Sequence, residues 1–105
     1  METSERLVLF KAIPFTSAFN DALRILKEND LSIAESDLDK GLIKAKVDDS
    51  MPTEDYQIVA KFWRGRDRIL MGLRGSVSFS FSGADKLKKK LRSLEEELRR
   101  LDYAY

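Results

Sequence analysis

The chain has 105 residues, 43% of them apolar and 35% charged, a length and composition that suit one globular domain with a single core. It contains neither cysteine nor histidine, which excludes disulfides, thiolate and imidazole metal ligands, cysteine nucleophiles and histidine bases in one step. The net charge of +1 conceals a division: residues 1–60 carry seven basic and twelve acidic side chains, residues 61–105 twelve and six, so the two halves can attract each other or outside partners of opposite sign.

No stretch is long and apolar enough to span a bilayer. METSERLVLF sets acids rather than a basic segment ahead of its short apolar run, unlike a secretory signal. The expectation is a cytoplasmic protein without a membrane partner.

RLVLFKAI (6–13) is apolar on both alternating faces and predicts an inner strand covered on both sides. Pro14 ends it. Phe15, Phe19, Ala22, Leu23 and Leu26 then recur at helical spacing, with Thr16 and Ser17 as N-cap hydroxyls and Asn29 as a left-handed stop. LSIAES predicts a strand, residues 37–41 a turn, and LIKAKVD a strand whose Ile43, Ala45 and Val47 alternate with Lys44 and Lys46. DDSMPTED is a polar loop whose acids lack the spacing and glycine of a calcium loop, so no metal is expected there.

YQIVAKFW alternates Ile58, Ala60 and Phe62 with Val59, Lys61 and Trp63. Residues 64–67 form a hairpin connection, with Gly65 expected to supply the left-handed torsions of the turn. RILMGLRGSVSFSFS continues as strand, with Gly72 and Gly75 predicting a bulge or second turn, and Val77, Phe79 and Phe81 alternating with a serine ladder that has no base beside it. Ser82 or Gly83 caps a final helix over residues 84–101. The order β-α-β-β-β-β-α predicts a single α+β domain over residues 1–105, with an antiparallel sheet and two helices packed on one face.

ALRILKENDLSIAESDLDKGLIKAKV resembles the module of BamC-like lipoproteins. In that family a helix with an Ala-Leu pair runs into a strand, an acidic turn and a strand opening on Gly-Leu-Ile, and the later strands and closing helix keep the same order. The resemblance implies a small non-enzymatic α+β interaction module. It implies no lipid anchor, because the acceptor cysteine is missing.

The final helix carries the most specific pattern. Ala84, Leu91 and Leu98 occupy heptad position a, Leu87, Leu94 and Leu101 position d, and Lys88, Lys90, Glu95 and Glu97 the flanks, a narrow seam edged by charge. In an antiparallel pair of such helices Lys88 meets Glu95 of the second copy, and Lys90 meets its Glu97. A small domain also needs its last helix to cover its own sheet, so docking and self-association both stay open.

The basic segment offers an alternative. Lys61, Arg64, Arg66, Arg68, Arg74, Lys86, Lys88, Lys89 and Lys90 cluster in sequence around Trp63, and Lys44 and Lys46 can share a sheet face with Lys61 and Trp63, a combination suited to phosphates and stacked bases. Strand-strand-strand-helix with lysines at the helix start resembles double-stranded RNA-binding domains, without their alanine-rich closing helix. With only carboxylates, lysines and tyrosines left as acid-base groups, and no recognisable pair among them, neither catalysis nor a cofactor is expected. The sequence thus predicts a non-catalytic protein-interaction module, a homodimer formed through the final helix and the open sheet face, with nucleic-acid binding as the alternative.

Overall fold

The computed structural model describes residues 2–47, 56–77 and 83–105. Its elements are β1 (Glu2–Lys11), α1 (Phe15–Glu28), β2 (Leu31–Asp37), β3 (Leu42–Val47), β4 (Tyr56–Arg64), β5 (Arg68–Val77) and α2 (Gly83–Arg99). The acidic segment 48–55 and the serine ladder with its phenylalanines, residues 78–82, lie outside the described residues. The strands form one sheet in the order β1-β5-β4-β3-β2, with every neighbouring pair antiparallel. This is the α+β architecture that the alternation predicted: helix α1 crosses from one sheet edge to the other, and a β2-to-β5 meander returns to β1.

Two-residue periodicity places Val8, Phe10, Ile58, Ala60, Phe62, Ile69, Met71 and Leu73 on the helix side, all buried. Phe15 and Phe19 of α1 pack against Phe62, with ring centroids 5.4 and 5.7 Å away. Helix α2 lies over β1 and β5, and its Leu87, Leu91, Leu94 and Leu98 are 0–1% exposed.

Several local expectations are corrected. β1 is an edge strand, not an inner one; both of its faces are apolar because Leu7 and Leu9 point to the uncovered side of the sheet. Gly72 and Gly75 sit in unbroken register, and each is small because a side chain lies over it. A Cβ at Gly75 would come within 2.9 Å of Leu87 Cγ, and one at Gly72 within 3.0 Å of Trp63 Cζ3. Gly65 has no positive φ; the left-handed glycine is Gly41, at φ 63°.

Helix α1 is capped by Pro14 with no side-chain hydrogen bond, so Thr16 and Ser17 fall inside the first turn. Its stop is Asn29 at φ −99°, and the left-handed residue is Asp30 at φ 63°. Asn29 ties the helices together instead. Its Nδ2 donates to the Ile25 carbonyl (2.8 Å) and to Glu97 Oε2 (2.6 Å), while Lys90 Nζ donates to its carbonyl (2.9 Å).

After α2 the chain turns back along β1. Lys11 N–H donates to the Tyr103 carbonyl and Tyr105 N–H to the Leu9 carbonyl (2.7 and 3.0 Å). Tyr103 packs edge-on to Phe10 and donates from its hydroxyl to Asp21 Oδ2 at 2.6 Å. The outer edge of β1 is thereby partly satisfied, and the β2 edge is broken by a bulge between Ile33 and Glu35, so neither edge is a flat template for strand addition.

Candidate interaction surface

With both helices on one side, the other side of the sheet is, among the described residues, an open face built from alternate residues of all five strands. Register arranges them in rows across the sheet. The first row holds Leu9, Leu70 and Trp63; the second Leu7, Gly72, Lys61, Leu42 and Asp37; the third Glu5, Arg74, Val59, Lys44 and Glu35; the fourth Thr3, Ser76, Gln57, Lys46 and Ser32. The face is apolar toward the β4–β5 hairpin and becomes charged, then polar, away from it.

Trp63 anchors the apolar end. Its ring lies over Gly72 beside Leu7, and the Lys61 ammonium stands 5.5 Å from the ring centroid. Trp63 is nevertheless 45% exposed and Leu7 51%. Contiguous apolar area of this kind, left open by a core that buries 23 other side chains among the described residues, is what a partner surface offers. Lys44 is paired with Glu35 on the same face at 3.2 Å, both about half exposed.

The expected residues separate into distinct places. Lys44, Lys46, Lys61 and Trp63 do share the open face. Arg64 turns to the helix side, its guanidinium 4.1 Å from the Phe15 ring centroid. Arg66 is at the exposed hairpin, and Arg68 pairs with Asp67 at 3.2 Å, holding that carboxyl below its usual range. Lys86 and Lys89 border a cleft of about 260 Å³ with Tyr56, Lys90 and Ser93, on the helix side of the sheet. The basic segment is therefore several sites rather than one strip.

Of the two readings of the α2 leucines, docking on the chain's own sheet is the one the geometry matches. Leu87, Leu91, Leu94 and Leu98 are consumed by the chain's own sheet, and Leu101 packs partly buried against the same core. The flanking charges are also engaged within the chain: Lys90 and Glu97 at Asn29, and Glu95 with Arg99 (3.2 Å) and Arg6 (3.9 Å). Lys88 is exposed. A helix spends its apolar stripe once, so this seam is not free for a second copy.

Leu7, Leu9, Leu42, Leu70 and Glu5 were not singled out by the sequence as site residues, whereas Arg74 was named within the basic segment. The alternation of Leu7 and Leu9 with Val8 and Phe10 was the available signal, but it was equally compatible with burial on both sides.

The architecture defines a two-layer α+β protein with one sheet and two helices on one face, the opposite face being uncovered among the described residues. No family model matches the chain, and no curated protein matches it. Among solved structures it is similar to a Thermobifida fusca protein determined by solution NMR, with 15% identity and a TM-score of 0.58 over 100% of this chain and 98% of that one. At that identity the likeness is one of fold.

Proposed function

We propose that the chain is a non-catalytic, cytoplasmic protein-interaction module that binds through the open face of its sheet. The observation that carries this reading is the row Leu9, Leu70 and Trp63 together with Leu7, an apolar patch outside the core around an exposed tryptophan. Aromatic anchors in such patches dominate protein interfaces. The resemblance to BamC-like interaction modules supports the same class. Among the described residues no helix is long and apolar enough to cross a membrane, and no group of three or more acidic side chains is placed to hold a metal.

A photo-crosslinking amino acid in place of Trp63, and in a second variant in place of Leu70, tests the reading in cells that make the protein. Protein adducts are expected at both positions and not at Lys27, exposed on α1. Absence of protein adducts at both would overturn it.

A second reading, nucleic-acid binding, is favoured by the convergence of Lys44, Lys46, Lys61 and Trp63 on this face. Against it, Glu5, Glu35 and Asp37 stand along the two edges of the same face and would repel phosphates. Binding to mixed RNA and DNA across a salt series decides it: a phosphate-binding face shows affinity that falls steeply with salt.

A further inference from the structure

The third row of the open face reads acid, base, apolar, base, acid: Glu5, Arg74, Val59, Lys44, Glu35. That pattern restricts what can pack on it. Two sheets meeting face to face lie about 10 Å apart with their strands nearly aligned, and two identical chains close about a two-fold axis. When the axis runs along the strands, each row meets itself reversed, and the remaining freedom is which strand the axis lies over.

An axis over β4 sets Arg74 on Lys44 and Glu5 on Glu35, like on like. Over β5 it sets Arg74 on itself, and over β3 it sets Lys44 on itself. Between β3 and β4 it leaves Leu70 and Trp63 with nothing opposite, since β3 contributes no residue to the first row. Between β1 and β5 it leaves Trp63 uncovered. With the axis between β4 and β5, Leu70 meets Trp63, Leu7 meets Leu42, and Glu5 meets Lys44, each contact occurring twice by symmetry.

We infer that the occupant of the open face is a second copy of this chain, docked about a two-fold axis between β4 and β5 that sets Glu5 against the second copy's Lys44. This rests on the open face being the protein-binding surface and names its partner. Exposure allows it: Glu5 is exposed, and Lys44 is held by one half-exposed ion pair to Glu35 that can be exchanged. Four strands about 4.8 Å apart and four rows about 6.8 Å apart give a footprint on the order of 500 Å² per copy. This is below the roughly 800 Å² per partner of standard interfaces, so the expected dissociation constant is roughly 10–100 µM.

Sedimentation equilibrium of the full chain from about 1 µM to 1 mM tests the proposal. The wild type is expected to dimerise. Glu5→Lys and Lys44→Glu, each confirmed folded by circular dichroism, place two like-charge contacts in the homodimer and should each raise the dissociation constant at least about tenfold. Mixed one to one, the two variants should associate within about threefold of wild type. In that heterodimer one contact is the native pair of Glu5 with Lys44, and the other sets the introduced lysine of one variant against the introduced glutamate of the other, so both have the correct sign. Lys44→Gln, which loses the Glu35 pair without adding a like charge, should weaken the homodimer less than Lys44→Glu does. A wild type that stays monomeric at 1 mM, or a mixture no tighter than either variant alone, overturns the two-fold arrangement. If the wild type is monomeric while position 63 crosslinks to a different protein, the protein-binding reading survives and this one does not; with no protein adduct, both fall.

Discussion

The two faces of the sheet are built by the same five strands, yet they spend apolar residues differently. On the helix side Phe10, Met71, Ile58 and Ile43 are fully buried among the leucines of α2 and the aromatics of α1. On the open side Leu7 and Trp63 stand about half exposed among Lys61, Lys44 and Glu35. The first face is where folding free energy resides; the second leaves apolar side chains in contact with water. Alternation along a strand tells which residues share a face and leaves open what covers that face.

The largest effect is expected on the covered side. Leu94→Ala should cost about 3 kcal/mol in urea unfolding, the usual cost of a cavity at a fully buried leucine. Leu94→Asp with Leu98→Asp should abolish the fold; recovery of a folded monomer would show that these leucines had served an intermolecular seam. The two glycines sharpen the contrast. Gly75→Ala drives a methyl into Leu87, which is 1% exposed, and should cost about 2 kcal/mol. Gly72→Ala meets the edge of Trp63, which is 45% exposed rather than locked in the core, and should cost less than about 1 kcal/mol.

Asn29→Ala removes the bond to Glu97 and the side-chain cap of α1, and about 1–2 kcal/mol is expected from thermal unfolding. Tyr103→Phe should cost about 1 kcal/mol at neutral pH and should also change the pH profile. Burial, with the Asp21 carboxylate beside it, raises the Tyr103 hydroxyl above its ordinary value of 10.0. Its stabilisation is therefore complete below about pH 10, where the unfolded chain keeps its proton, and is lost as pH rises beyond that. The variant should show a shallower loss of stability on the alkaline side, measured as midpoint against pH. The smallest effect belongs to the open face: Trp63→Ser should shift monomer stability by less than about 0.5 kcal/mol, measured at low micromolar concentration, while weakening association.

Much of the architecture was legible because the periodic signals are local. Ile58, Ala60 and Phe62 against Val59, Lys61 and Trp63 identify β4 and its two faces, and the leucines from Leu87 to Leu98 identify α2. The meeting of Lys44, Lys46, Lys61 and Trp63 followed from the same alternation once β3 and β4 were paired. Docking and self-association stayed open for the seam for a physical reason. Leucines recurring every three or four residues satisfy a coiled coil and a docked helix equally, and which applies depends on whether an apolar sheet with a gap such as Gly75 waits beneath. Likewise Asn29 read as a helix stop, but Lys90 and Glu97, which hold it, lie more than sixty residues away.

Element identity, the two faces of each strand and the absence of cysteine and histidine chemistry were thus contained in the order of residues, since they depend on neighbours a few positions apart. Which apolar stripe is buried, which sheet edge is closed by the C-terminal tail, and which five residues line up as Glu5, Arg74, Val59, Lys44 and Glu35 depend on strand register and on contacts between distant segments. Long-range pairing is set by the packing of the whole core, and no local pattern of charge or hydrophobicity encodes it.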